Sequence, residues 1–443
     1  MGLKKLSVSL LSLMVIAGFA ALLVWVSQQY GRHPDTMEQV LSQEENELTL
    51  SESEKSKNLL QVKLSPVLDS KLPMLKITTE KKNGVLFSQQ ETGMQLSIGK
   101  EKKKGGIKLL TYNDELEAKP SMALSFSEKT TLFEGGRGTQ YTLLSGYHDK
   151  SLLRTLLTGR LYEYLGEDNQ YSPFMKLVNV EVDGQYQGVY LLCENVEPGE
   201  DKIAIEGKAQ ATPKQSAFLM RQEPTEGFSS EDLKEGEDWF WMRRNNYRIR
   251  ILSPAVSQRR KQEYATYCKD SLDHVYEDIL NHNWWEITRE LDISSAIRSL
   301  LTAEIANCSD EDRVNMYLYK EAGGKIAFGP FMGCDTAFGS EESGTSEEPF
   351  YQELMEIKAF RESFCKAYNR VAGETETFLH KKLNRIISLY GRDLENDYNY
   401  WEKDTDYGSE KMREAGSYEE QVTILQEWIH ARFLRMSSLI REE

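Results

Sequence analysis

The sequence predicts an α+β protein of two lobes, β-rich in its first half and helix-rich in its second, behind one apolar N-terminal helix. Three observations lead there. Short segments of alternating polarity dominate up to about Leu252, apolar residues at helical spacing dominate after Tyr264, and Leu6 to Val26 carries no charge. A period of two builds half-buried strands and a period of 3.6 builds amphipathic helices, so the two kinds of layer separate along the chain.

The apolar run consists mainly of Leu, Val, Ile, Ala, Met, Phe and Trp. Its twenty-one residues (6–26) would span about 30 Å at helical rise, the thickness of a bilayer's hydrocarbon core. Lys4 and Lys5 precede it, which keeps residues 1–5 cytoplasmic and sends the rest across. A cleaved signal peptide would have a shorter apolar core ending in a small-x-small site. Here the run continues through Leu22, Leu23, Val24, Trp25 and Val26, and Trp25 suits the interfacial belt. The expectation is an uncleaved single-pass anchor with the large domain extracytoplasmic. Residues 27–70, rich in Glu, Ser and Gln and including Glu44, Glu45, Glu47, Glu52 and Glu54, read as an acidic stalk. Residues 71–440 are the globular part.

That part is long enough for one large domain or two lobes. The chain holds 54 Lys and Arg against 70 Asp and Glu, a net charge of −16. This argues against nucleic acid, whose binders carry basic faces. The five cysteines include no C-x-x-C pair and too few neighbouring His for zinc. Buried thiols are the expected state for most of them.

Order should begin near Leu72, where KLPMLKITTE reads as a first strand. Mixed β structure should run to about Phe133, with a basic turn at Lys102 to Lys104. Asp149 is placed to cap a helix whose apolar face is Leu152, Leu153, Leu156, Leu157, Leu161 and Leu165. A hairpin follows: Leu177 to Val182 alternates, Asp183-Gly184 supplies a tight turn, and Val189 to Leu192 returns. Residues 210–246 carry polar runs and read as a surface insertion, and Tyr247 to Leu252 as a strand. Ile293 to Ile305, Leu379 to Tyr390 and Val422 to Phe433 mark helices by their spacing.

The chemistry-bearing constellation runs from Asp310 to Gly339. Asp310 and Asn315 stand as D-x-x-x-x-N after a predicted helix. Two short strands, MYLYK and KIAFGPF, follow around Glu321-Ala322-Gly323-Gly324, and Asp335 comes next. Protein kinases place a base Asp, a metal-binding Asn, a strand pair and a metal-binding Asp in this order. Phosphoryl transfer needs a carboxylate near the accepting hydroxyl and oxygen ligands that hold Mg²⁺ against the phosphates. The spacing alone is common in acidic chains, and G-x-G-x-x-G, G-x-x-x-x-G-K-[ST] and H-R-D are all missing.

Three runs add specificity. YHDKSLLRTLLTGRL (147–161), VNVEVDGQYQGVYLLCENVE (178–197) and GPFMGCDTAFG (329–339) resemble the D-x-S-x-x-R helix, the hairpin and the Asp-containing Ala-Phe-Gly run of the CotH family of atypical kinases. The likeness spans most of residues 70–440. It implies a two-lobed, atypical protein-kinase-like fold and transfer of phosphate from ATP, with Mg²⁺ or Mn²⁺, to Ser of secreted or spore-surface proteins. Carried over residue by residue, it implies Asp310 as the base and Asn315 and Asp335 as metal ligands. Glu194 would partner a phosphate-facing cation or metal. Arg154 would contact phosphate or brace its helix, and Lys119 would stand in for a family Lys near the phosphates.

Two departures qualify what the resemblance implies. Met332-Gly333-Cys334-Asp335 stands where the family has Trp-Asp-x-Asp, so one carboxylate is missing. IKLLTYNDELEAKP (107–120) lacks the Arg and Gly of the family's Arg-Gly-Asn-Ser-Ser-like segment. Losing an oxygen ligand and a phosphate contact weakens metal and nucleotide binding. A catalytically degenerate scaffold for surface or spore-coat assembly is therefore the competing expectation.

Overall fold

From Leu72 onward, alternation of apolar and polar side chains builds the first layer. The computed structural model describes residues 64–80, 90–110, 117–166, 170–223, 237–242, 247–308, 316–330, 334–339, 349–401 and 410–442. Residues 6–26 lie outside these. Among the described residues no helix is long and apolar enough to cross a membrane.

The first half holds β1 (Met74–Thr79), β2 (Thr92–Ile98), β3 (Glu101–Leu109), β4 (Met122–Thr130), β5 (Gly138–Leu144), β6 (Met175–Val182) and β7 (Gln185–Glu194). They form a closed barrel in the order β1-β2-β3-β4-β5-β7-β6. Neighbours are antiparallel except β1 and β6, which run parallel with Leu75 opposite Val180. Inward positions recur at every second residue, so Leu75, Ile77, Leu96, Leu124, Tyr141, Leu143, Val178, Val180 and Leu192 fill the interior. Closure leaves no unpaired barrel edge.

The β6–β7 turn is as expected. Asp183 and Gly184 carry φ of 50° and 84°, the pair of positive values that a two-residue hairpin turn needs. A Cβ added at Gly184 would meet nothing within 4 Å. Any cost of substitution is therefore backbone strain, not a clash. Gly184→Val should lower stability by about 1 kcal/mol or more, read as a lower urea midpoint at unchanged slope.

Between β5 and β6 lies α1 (Arg154–Tyr164), which buries Leu156, Leu157 and Leu161. Asp149 is not its N-cap residue, because Leu152 at φ 62° breaks the helical run and Leu153 takes that position. The Asp149 carboxylate still accepts from the Ser151 and Arg154 backbone N–H groups at 2.9 and 2.8 Å.

A second sheet has the order β12-β11-β8-β10-β9. It is built from β8 (Phe218–Glu223), β9 (Trp239–Met242), β10 (Tyr247–Ser253), β11 (Tyr317–Lys320) and β12 (Ile326–Phe328). Helices α2 (Gln258–Leu280), α3 (Trp284–Glu290), α4 (Ile293–Ala306), α5 (Pro349–Glu356), α6 (Lys358–Trp401), α7 (Glu410–Glu414) and α8 (Tyr418–Glu442) complete the chain. Sheet and helices share one large apolar core, to which Phe218, Met220, Leu300, Leu318, Phe328, Leu379 and Leu425 all contribute. The 44-residue α6 reaches from that core, at Leu379 and Leu383, to the barrel core at Trp401.

The protein is thus mixed α+β, β-rich first and helical later. Several local expectations need correction. Lys102 to Lys104 lie inside β3, opposite Ser97 to Gln95. The turn sits earlier, where Gly99 supplies φ 57°, and the lysines occupy the strand's mainly exposed end. β structure continues past Phe133 into β5. Residues 210–246 are no simple insertion, because β8 within them is the middle strand of the second sheet. Three adjacent buried residues, Phe218, Leu219 and Met220, made too short an apolar run to stand out among polar neighbours.

Candidate active site

Asp335 lies in the short described segment 334–339, which follows β12. Two contacts anchor it. The Thr155 hydroxyl, from the first turn of α1, donates to Asp335 Oδ1 at 2.7 Å and accepts from the Cys334 N–H at 2.9 Å. The Phe338 N–H donates to the Ala306 carbonyl at the end of α4, at 2.7 Å. The Cys308 and Cys334 sulfurs lie 3.2 Å apart. The last described residue before the Asp310 segment therefore touches the neighbour of Asp335. None of the five cysteines is in a disulfide, and all but Cys365 are buried.

Asp335 keeps part of its surface exposed, yet the protein packed around its carboxyl raises its pKa to about 6. Burial is the main cause. The Asp149 and Glu117 carboxylates add to it, while the Thr155 hydrogen bond and His148 oppose it. An enclosed carboxylate among other carboxylates disfavours its own ionisation, and a bound cation reverses that. Asp149 is held by the Arg154 Nη1 at 2.5 Å, and Glu117 by the His148 Nε2 at 2.5 Å. Arg154 and His148 thus already serve other acids, and the donor chemistry of the group fits a hard divalent ion.

The other expected site residues occupy distinct settings. Arg154 is fully buried at the start of α1, with Nη1 shared between Asp149 and the Ser151 hydroxyl at 2.9 Å. Its Nε and Nη2 have no hydrogen-bond partner among the described residues, and a Cβ at Gly339 would lie 3.2 Å from Nε. The Ala-Phe-Gly run therefore packs on this guanidinium.

Glu194, at the end of β7, is buried and accepts from the Gly136 N–H at 2.7 Å. It and Asp335 both act on the neighbouring Cys193 thiol, whose pKa is raised chiefly by burial and then by the Asp335 and Glu194 charges. Lys119 is fully buried elsewhere. Its ammonium donates to both Asp397 oxygens at 2.9 and 2.8 Å and to the Val189 carbonyl at 2.6 Å. It also sits 4.8 Å from the centre of the Tyr190 ring.

Asp310, Asn315 and Gly333 lie outside the described residues. Thr155, Asp149 and Arg154 gather with Asp335, whereas Glu194 and Lys119 have their own partners. Sequence reasoning did not single out Thr155, Glu117 or His148 for the site. His148 and Thr155 were visible within the YHDKSLLRT run, but nothing in that run states which side chain meets Asp335.

The class that fold and site define is a mixed α+β protein with a closed barrel and an acidic cluster around Asp335. The chain belongs to the CotH kinase protein family, whose model matches residues 112–434. No curated protein matches it.

Proposed function

We propose that this protein is a membrane-anchored, extracytoplasmic kinase-like protein that binds ATP with Mg²⁺ or Mn²⁺ and transfers phosphate to hydroxyls of surface proteins. The observation that carries the proposal is the enclosed Asp335 carboxylate, oriented by Thr155 and surrounded by acids. The fold reading is two-lobed: the barrel covers the nucleotide, and the second sheet and helices carry the chemistry. Asp310 acts as base toward the acceptor hydroxyl, and Asn315 and Asp335 hold the metal. When bound, the metal neutralises charge on the phosphates. Arg154 fixes the start of α1 and so aims Thr155 at Asp335, Glu194 holds the Gly136 loop, and Lys119 secures β7. Glu117 or Asp149 offers oxygen where Gly333 offers none.

The test is a thermal-shift titration of the purified protein with Mg-ATP and Mn-ATP, because a ligand bound only by the native state raises its stability. A saturable rise in Tm is expected, abolished by Asp335→Asn. Asp310→Asn should keep the rise and lose transfer. A folded protein with no rise under either metal overturns the catalytic reading and leaves the assembly scaffold.

Anchoring by residues 6–26 is tested separately. Protease added to intact cells should remove the domain and leave a small membrane-bound stub. A mature N-terminus located after Val26 would overturn it.

A further inference from the structure

A second group of metal-ligand side chains lies away from Asp335, where α2 meets α3. His274 and Asp278 are one helical turn apart on α2, so both project from the same face. Glu290 reaches them from the end of α3. The candidate ligand atoms of all three lie within 4.8 Å of one another. His274 Nε2 is 3.5 Å from Glu290 Oε1 and 4.0 Å from Asp278 Oδ2.

Two buried oxygens in this group have no hydrogen-bond partner among the described residues. Asp278 is 9% exposed, and its Oδ1 accepts from the Asn283 amide at 3.0 Å. Its Oδ2, on the His274 side, is buried and unsatisfied, as is Glu290 Oε2. Leaving a carboxylate oxygen buried without a partner is costly. Two carboxylates beside one imidazole, each with a buried unsatisfied oxygen, form a donor set that an ion satisfies at once.

We propose that His274, Asp278 and Glu290 bind one divalent transition-metal ion, Zn²⁺ being the best match, and that this ion staples α2 to α3. One imidazole nitrogen with two carboxylates suits Zn²⁺ better than Mg²⁺ or Ca²⁺, which prefer oxygen alone. Donors around a tetrahedral zinc stand about 3.4 Å apart, given bonds of about 2.0–2.2 Å. The separations of up to 4.8 Å need to shorten by about 1.4 Å at most to reach that spacing. Asn283 fixes Asp278 from behind, the supporting contact that metal carboxylates usually have. His274 and Glu290 also line an open cleft of about 670 Å³, shared with Lys320, Gly323 and Gly324. Water from that cleft completes the coordination.

The experiment uses the purified full chain, stripped with chelator and titrated with Zn²⁺ alone, without nucleotide. Calorimetry should give one ion per chain, and Tm should rise saturably, with no comparable rise in Mg²⁺. His274→Ala and Glu290→Gln should each weaken Zn²⁺ binding at least about tenfold. Both replace partly exposed side chains, so their folds should survive, and circular dichroism checks this. Asp335→Asn should leave the Zn²⁺ response intact, which separates this ion from any held by the nucleotide site. No Zn²⁺-dependent rise in the wild type overturns the proposal. So does a rise that survives His274→Ala and Glu290→Gln, or one that Asp335→Asn removes.

Discussion

Lys119→Met should destabilise the protein by about 3–5 kcal/mol, the cost of leaving one member of a buried ion pair without the other. Lys119 and Asp397 are 0% and 1% exposed in their side chains, so little solvent screens the charge left behind. The contact joins a residue just before β4 to the far end of α6, 278 positions later. It is thus one of the ties between the barrel and the helical half. Asp397 also accepts from the Val189 N–H at 2.7 Å. Val189 follows Gly188, whose φ of 100° marks a break in the β6–β7 register. A Cβ at Gly188 would lie 2.1 Å from Asp397 Oδ1, so this glycine permits the approach. Urea unfolding should show the loss as a lower midpoint. The double variant Lys119→Met with Asp397→Leu should recover much of it, because no buried charge then remains. A loss under about 1 kcal/mol in the single variant would mean that water reaches the pair.

The second large effect is pH dependence at Asp335. Its folded pKa, about 6, lies above the ordinary 3.8. Between these values the folded state binds more protons than the unfolded one, so stability falls as pH rises through this window. Below pH 3.8 both states are protonated and the group contributes no slope; above about 6 the full penalty is present. Two pKa units correspond to roughly 3 kcal/mol, an upper figure because the side chain keeps some solvent contact.

Asp335→Asn should therefore stabilise the metal-free protein above pH 6 by up to that amount. The amide oxygen can still accept from Thr155. The difference in unfolding free energy between wild type and variant, measured across the window, isolates this group from other titrations. A flat difference would mean that Asp335 is solvated. The same substitution should abolish the nucleotide-dependent rise. A residue that costs stability without ligand and is required with ligand belongs to a binding site, not to the scaffold.

Much of the fold was legible because it rests on local periodicity. The β6–β7 hairpin, its Asp183-Gly184 turn, β1, β10, β11, β12, α1, α4 and α8 follow from alternation, helical spacing and turn chemistry. The misread stretches share a cause. The lysines of β3 and the three apolar residues of β8 take their state from strands distant in sequence. β8 is a middle strand because β10 and β11 pair with it.

The site divides in the same way. The residue types that phosphoryl transfer needs, and the order of Asp310, Asn315 and Asp335, were properties of the chain itself. That Thr155 orients Asp335 across 180 positions, or that Glu117 and His148 lie near it, has no local signature. The same holds for the burial of Arg154 and Lys119 in ion pairs. From sequence either side chain could equally serve a phosphate, since a long basic side chain carries no mark of its partner. By itself, the sequence determined the class of fold, the elements with strong local periodicity, and the family. The tertiary structure decided which charges are buried together, because burial and electrostatic pairing depend on what the folded chain places around a group. Neighbouring residues alone do not determine that.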